Sequence, residues 1–477
     1  MPSRRIRVRG GARDQVRAQI ARIQTDLKVS PEFPGEVTQA AEAAALQPRL
    51  PDLDLTDLEF VTIDPATSMD LDQAMLLERA EQGFRVHYAI ADVAAFVTPG
   101  DVIDQECHRR GETLYGADSK IPLHPRALSE AAASLLPDQE RPAIVWTLDL
   151  DQQGALRQTD VRRARVRSRA KLSYVEVQDS LDRGEPRFEL LREIGSLRQR
   201  AEIERGGVSL PLPEQEIEIE GEHWELAFRQ PLPVELWNAQ ISLLTGMAAA
   251  QLMLAGNIGI LRTLPPADQR ATDRLRRTAK ALHVAWPGSM TYPEFVRSLN
   301  PDDPKHAAMI VACTTLLRGA GYKCFNGEPP NQIDHAAIAA PYAHVTAPLR
   351  RLVDRYGLEI CVALAAGTAV PEWVTAAFDS LPVTMQSSGR LARRYENAVL
   401  DLVEAQLLSN HVGESFRGVI LEVDPEDAHV GQIQIADPAV EAVVEGPEPL
   451  PLGEEVTVRL TLVDPQARQV RFRVDAV

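Results

Sequence analysis

Phe60-Val-Thr-Ile-Asp64-Pro-Ala-Thr-Ser-Met-Asp70-Leu-Asp72-Gln73-Ala-Met75 is the stretch from which the rest of the chain is best read. Phe60 to Ile63 is an apolar run that predicts a buried strand. It stops at the Asp64-Pro65 break, and carboxylates return at Asp70 and Asp72. In an extended segment alternate side chains share a face, which puts Asp70 and Asp72 on one side, roughly 6–7 Å apart. Like charges held that close repel unless a cation lies between them, and Asp64 at the strand end is placed to add a third oxygen ligand. All-oxygen sites rich in carboxylate suit Mg²⁺ or Mn²⁺ rather than zinc, and their commonest work is hydrolysis or transfer at phosphate. The plain alternative is turn chemistry, because Asp, Ser and Pro after a strand are ordinary turn formers. Spacing alone leaves both readings open.

At 477 residues the chain exceeds one ordinary core and predicts about three domains. Its 44% apolar content is spread too evenly for a membrane span. The start, Met-Pro-Ser-Arg-Arg-Ile-Arg-Val-Arg, lacks the apolar centre of a signal peptide, and Gly10, Gly11 and Asp14 interrupt any transit-peptide pattern. Cys107, Cys313, Cys324 and Cys361 are scattered, which implies neither zinc nor a disulfide framework and fits a reduced, cytoplasmic setting. His87, His108, His124, His335 and His344 show no metal-ligand spacing. A net charge of −17 argues against a general nucleic-acid binder. Positive charge is local instead. Residues 1–28 carry eight Lys/Arg against two Asp/Glu, and Arg163, Arg165, Arg167, Arg169 and Lys171 recur at every second position. On a strand these five form one basic stripe, which serves either RNA phosphates or the protection of a sheet edge.

Residues 11–28 predict an amphipathic helix with Val16, Ile20, Ile23 and Leu27 on one face, stopped by Pro31 and Pro34. Val37 to Leu46 predicts a second helix. Together they make either a helix-turn-helix-like element or a lid on the next domain. Residues 47–57 read as a linker. Strands are expected at Val86–Ala91 and Ala143–Leu150, with a hairpin turn at Asp149 to Gly154. Helices are expected at Pro233–Leu254, Thr346–Leu364 and Ser380–Leu408. Five short strands after Phe416 predict a small barrel whose available aromatics, Phe416 and Phe472, are either stacking surfaces or core. The domain division is therefore 1–57, 58–408 and 409–477.

Four blocks, in order, carry a resemblance. Thr62-Ile-Asp64 with Asp70-Leu-Asp72-Gln73-Ala is similar to a Thr-Ile-Asp … Asp-x-Asp-Asp-Ala signature. Ile90-Ala-Asp92-Val-Ala-Ala-Phe-Val-Thr-Pro-Gly100 is similar to Ile-Ala-Asp-Val-Ser-x-Phe-Val-x-Pro-Gly. Arg110-Gly-Glu-Thr-Leu-Tyr115 with Ile121-Pro-Leu-His-Pro-Arg-Ala-Leu-Ser129, and Tyr342-Ala-His-Val-Thr346-Ala-Pro348-Leu-Arg350-Arg351-Leu-Val-Asp354, complete the set. Together they resemble the RNase II (RNB) family of processive exoribonucleases. The resemblance implies an α+β fold: an RNB-type catalytic domain of mixed sheets and surrounding helices, a short N-terminal helical element and a C-terminal OB-fold barrel. It implies 3′→5′ hydrolysis of single-stranded RNA to 5′-nucleoside monophosphates by a monomer using Mg²⁺, with Mn²⁺ as a substitute. Asp70, Asp72 and Arg350 become the catalytic residues, and Asp64, Asp70, Asp72 and Gln73 the metal ligands. The planar Arg350 fork suits two phosphate oxygens. Tyr115 becomes a sequence-tolerant stacking surface, and Arg110, Arg167, Arg169, Lys171 and Arg351 further RNA contacts.

Several positions depart from the family pattern. Gln73 stands where a further Asp is usual, Ala347 replaces Ser, Leu358-Glu359 replaces His-Arg, and Glu235-Leu236 replaces Glu-Glu. Around Gly207 to Glu214 the aromatic partner for a base clamp is missing, with Leu210 close to that place. About 57 residues before the catalytic part cannot hold the two cold-shock domains usual in the family. Two readings follow: a divergent active exoribonuclease, or a catalytically weak or inactive RNA-binding protein of the same fold. A phosphatase of small phosphates explains the acids but neither the basic stripe nor the terminal barrel.

Overall fold

The computed structural model describes residues 11–117, 120–210, 214–220, 223–317 and 319–475. The basic segment 1–10 and Pro211–Pro213, inside the stretch read for an aromatic clamp, lie outside them.

Helices α1 (Gly11–Leu27) and α2 (Gly35–Leu46) precede strands β1 (Phe60–Asp64), β2 (Gln73–Ala80) and β3 (Gly83–Ala91). Then come α3 (Val102–Arg110), β4 (Leu114–Tyr115), β5 (Lys120–Ile121), β6 (Glu140–Asp151) and β7 (Leu156–Ser173). β1, β2, β3, β6 and β7 close into a barrel; β1 pairs parallel with β7, and the other pairings are antiparallel. Bulky and β-branched residues explain it: Val86, Tyr88, Ile90, Ile144, Trp146 and Leu148 are all essentially without solvent exposure. The hairpin at Asp151–Ala155 forms where expected, with the Gln153 and Ala155 N–H groups donating to Asp151 Oδ1 at 2.9 Å. The basic stripe lies on β7, which is bonded on both sides and so has no edge to protect.

Helices α4 (Tyr174–Asp182) and α5 (Glu189–Arg205), then hairpin β8 (Glu214–Glu220) and β9 (His223–Arg229), lead into α6 (Pro233–Ala255). α6 is apolar nearly all round and is the central buried helix. Beyond it lie β10 (Ile258–Thr263), α7 (Gln269–Ala281), α8 (Tyr292–Ser298), α9 (Pro304–Cys313), β11 (Gly321–Asn326), β12 (Asp334–His335) and β13 (Ala340–Pro341). The chain then crosses α6 at Gly246, where a Cβ would meet the Tyr342 ring at 2.1 Å and Ala343 O at 2.7 Å. Only glycine permits that crossing, and the Ala343 N–H donates to Gly246 O at 3.0 Å to hold it.

The last helices are α10 (Leu352–Ala366), α11 (Glu372–Ala376) and α12 (Leu381–Leu408). A helix was expected from Thr346, but α10 begins six residues later. Residues 346–351 form a turn instead, because Asp354 and Asp72 take the Ala347 and Leu349 N–H groups. The second barrel comprises β14 (Ser415–Val423), β15 (Val430–Ala436), β16 (Ala439–Glu445), β17 (Glu455–Asp464) and β18 (Gln469–Val474), closed in the order β14-β15-β16-β18-β17. This is the expected OB-like, α+β arrangement. Phe472 is buried in its core and Phe416 packs edge-on against it, so both aromatics serve packing. α1 buries Val16, Ile20 and Ile23 against Tyr395, Val399 and Leu402 of α12, whereas α2 buries Val37 and Ala41 with the main core. The two helices pack as separate struts, not as a helix-turn-helix unit.

Glu404 of α12 joins the two parts. Its carboxylate accepts from Gln215 Nε2 at 2.7 Å and from the Glu441 N–H at 3.0 Å. Burial pushes its pKa from 4.5 up to about 8 against those two bonds. A carboxyl that holds its proton more tightly when folded contributes stability fully present below pH 4.5 and lost as pH rises through about 8. Glu404→Gln keeps both acceptor bonds, so its melting temperature is expected to match the parent near pH 4 and exceed it increasingly towards pH 8.

Candidate active site

The end of β1, the loop 65–72 and the start of β2 lie at one end of the first barrel, facing the turn 346–351. Asp72 is buried there. Its Oδ1 accepts the Leu349 N–H at 2.7 Å, and its Oδ2 lies 3.6 Å from Arg350 Nε. Arg350 keeps 41% of its side chain exposed and borders an open cavity. On the other side of the turn Asp354 is fully buried, accepting the Ala347 N–H at 2.7 Å and both Nε and Nη2 of Arg351 at 2.9 Å. His124 steadies the middle, 3.2 Å from Pro348 O and 3.1 Å from Cys107 Sγ. Burial lowers its pKa to about 4, so at neutral pH the ring is uncharged.

The acids are in electrostatic conflict. Burial pushes Asp72 up to about 8; Arg350 and the Leu349 N–H oppose this, while Asp354 and Asp70 add to it. Burial, then Asp70, raises Asp64 to about 6 against Arg350 and Lys171. Asp70 lies on an irregular segment rather than on β2, and Lys120 Nζ binds its Oδ1 at 2.7 Å and Glu130 at 3.1 Å. Lys120 escaped sequence reading because only the β4–β5 pairing, which sets it opposite Tyr115, brings it to Asp70. Tyr174, whose hydroxyl accepts from Asn238 Nδ2 at 3.3 Å, and Tyr88 were also not foreseen near the acids.

Gln73 is not free to act as the metal ligand expected of it. Its Oε1 accepts from the Tyr88 hydroxyl at 2.8 Å, and its Nε2 donates to Thr346 O. Arg110, expected at RNA, is a buried strut. It pairs with Glu106 at 2.7 Å, donates to the carbonyls of Ser30, Glu32 and Pro122, and stacks 3.7 Å from the Phe33 centroid. Arg351 is likewise consumed by Asp354. On the stripe, Arg163 pairs with Asp92 and Glu359, and Arg165 with Asp54 and Glu140. Arg169 donates to Thr56 O at 2.7 Å. Arg167 has a buried Nε without a partner. Lys171 ends the stripe close enough to lower Asp64, with Nζ on Ala66 O at 2.9 Å. Tyr115 is 41% exposed and borders the cavity next to Arg350, open to a stacking ring.

Among the described residues no three His, Cys, Asp or Glu side chains converge into a ready-made metal cage. Asp64, Asp70 and Asp72 offer an incomplete, all-oxygen set in which burial raises Asp64 and Asp72 despite the nearby Arg350. That donor chemistry fits Mg²⁺, which takes one or two carboxylates and completes its shell from water and substrate phosphate.

The RNB domain family matches residues 53–362, and the RNase II-type exonuclease C-terminal S1 domain matches residues 414–475. The chain belongs to the RNB family. Ribonuclease R of Aquifex aeolicus is 25% identical over 460 residues, covering 88% of this chain and 64% of that protein. The exosome complex exonuclease RRP44 homolog A of Arabidopsis thaliana is 28% identical, covering 72% and 38%. The chain thus spans less than two thirds of these relatives' length. In fold it is similar to Mycoplasma genitalium RNase R in complex with ribose methylated single-stranded RNA, with TM-score 0.86 at 20% identity over 97% of this chain and 78% of the other. It is also similar to yeast Ssd1, a pseudonuclease, with TM-score 0.71 at 15% identity over 95% and 57%. RNB exoribonucleases as a family are generally dependent on a divalent metal.

Removing one member of a buried, hydrogen-bonded ion pair costs about 3 kcal/mol. Arg110→Gln is therefore expected to lower unfolding stability by about that amount in urea titration, while the folded protein keeps parental RNA affinity. Weakened RNA binding at parental stability would return Arg110 to the RNA surface.

Proposed function

We propose that the chain is a processive 3′→5′ exoribonuclease that hydrolyses single-stranded RNA to nucleoside 5′-monophosphates with Mg²⁺, or Mn²⁺ in its place. The observation that carries this reading is the meeting of Asp72 with the Leu349–Arg350 turn, 277 residues further along for Leu349, beside two more aspartates. Water adds to the terminal phosphodiester phosphorus, the bond to the upstream 3′ oxygen breaks, and the nucleotide leaves with the 5′ phosphate. The divalent ion, when bound to the aspartates, would supply an activated water and neutralise charge on the phosphate. Arg350, held at its Nε edge by Asp72, would present its outer nitrogens to the phosphate oxygens as negative charge develops. Tyr115 would stack on the terminal base through its face, which every base offers equally. Lys120, 2.7 Å from Asp70 Oδ1, would hold that carboxylate in place.

The direct test is 5′-labelled single-stranded RNA with Mg²⁺, beside the same protein in EDTA. A metal-dependent ladder collapsing to a short 5′ fragment is expected. Asp72→Asn is expected to abolish hydrolysis while leaving RNA binding, and full activity in that variant would sink the assignment. Arg350→Gln is expected to lower kcat by about 10²–10³-fold.

The second reading, an RNA-binding protein with little or no catalysis, is favoured by Gln73, which replaces a carboxylate with a neutral strut. A carboxylate at this position cannot donate to Thr346 O. On the exonuclease reading, Gln73→Asp should therefore release mononucleotides no faster than the parent. Faster release from a sluggish parent would favour the second reading.

A further inference from the structure

Lys120 stands between two acids at the edge of the aspartate cluster. Its Nζ lies 2.7 Å from Asp70 Oδ1 and 3.1 Å from Glu130 Oε1. Lys120, Asp70 and Glu130 keep only 18%, 13% and 21% of their side chains exposed, so salt and water screen these contacts weakly. The β4–β5 pairing sets Lys120 opposite Tyr115, which is close enough to Arg350, Asp70 and Asp72 to feel their charges. Backbone pairing on one side and Glu130 on the other thus fix the lysine at the cluster.

The four expected metal ligands are committed to different degrees. Asp64 makes no side-chain hydrogen bond or ion pair among the described residues. Asp72 accepts the Leu349 N–H and lies 3.6 Å from Arg350. Gln73 is spent on Tyr88 and Thr346 O. Asp70 is met by a full ammonium charge at 2.7 Å. An ammonium has donors only and acts as a compact point charge, so it would repel a divalent ion brought to the same carboxylate. Centres that hold two ions place them roughly 3.5–4 Å apart and need carboxylate oxygens for both. With Asp70 and Gln73 committed, oxygens for a single ion remain, on Asp64 and Asp72.

We propose that Lys120 is a resident cation at Asp70, taking the place of a second divalent ion, so that the centre holds one ion on Asp64 and Asp72. The inference takes from the reading above only that the aspartates bind a divalent ion. It separates two jobs among three like residues: Asp64 and Asp72 carry the exchangeable cation, and Asp70 carries one supplied by the chain itself. Gln73 and Lys120 then act in the same direction, the first by removing a negative charge and the second by adding a positive one.

The test counts Mn²⁺ ions bound to the full chain without RNA, from the electron paramagnetic resonance signal of the free ion. One ion per chain is expected in the parent and two in Lys120→Met, which removes the charge and keeps an unbranched apolar stem. Lys120→Arg retains the charge and is expected to hold the count at one. The double variant Asp70→Asn with Lys120→Met removes the pair without leaving a buried charge behind, and is also expected to bind one. Two ions or none in the parent, or equal counts in the parent and Lys120→Met, overturn the proposal. So does loss of the ion from the double variant, because Asp70 is then a ligand. The counts need no hydrolysis: a chain that shows them and leaves RNA intact keeps its resident cation and loses the hydrolytic reading.

Discussion

A carboxylate removed from water must be given donors or a proton, and Asp72 imposes that constraint on the centre of this molecule. Its partners are the Leu349 N–H, which donates to it, and the Arg350 guanidinium 3.6 Å away. Neither is local, so the barrel end and the turn 346–351 have to meet for Asp72 to be buried at all. Asp354 repeats the device from the other side through the Ala347 N–H and Arg351. A short turn without regular structure is thereby suspended between two buried acids. The Gly246 crossing delivers the chain to that point, and neutral His124 supports it from beneath.

The arrangement is deliberately short of positive charge. Asp64 and Asp72 are both raised by burial and by neighbouring acids, while Arg350 is shared and Lys120 is committed to Asp70 and Glu130. Such a cluster is costly in isolation and is relieved by a divalent cation with a phosphate. Gln73 moderates the cost. It removes one negative charge and joins Tyr88 to Thr346 O through its two ends, a bridge that requires a donor as well as an acceptor. The departure from the family pattern is thus a structural strut as well as a lost ligand.

Charge density along the chain proved a poor guide to charge available for binding. Arg163 and Arg165 face Asp92, Glu359, Asp54 and Glu140 from four distant segments, and Arg110 is enclosed by carbonyls. With 68 acidic residues against 51 basic ones, a clustered arginine is readily met by carboxylates once the chain folds. Arg262, whose guanidinium lies over the Tyr322 ring, stands alone in sequence, which is why no pattern marked it.

The sequence by itself determined β1, β3 and β6 of the first barrel, the five strands of the second, the central helix, and the candidate acids at the end of β1 and in the loop before β2. These depend on alternation, apolar runs and turn residues, which act over a few positions. It also carried the family motifs that placed Arg350 with the acids. Tertiary structure alone decided which of the named side chains remain free: Tyr115 and Arg350 outward, Arg110 and Arg351 consumed, Gln73 bridged at both ends. It also decided that Thr346–Arg351 is a turn, because the groups that capture its N–H donors are Asp72, from another part of the chain, and Asp354, a full turn ahead. A side chain's partners are set by what the fold brings within about 3 Å, and that distance is not written in the local order of residues.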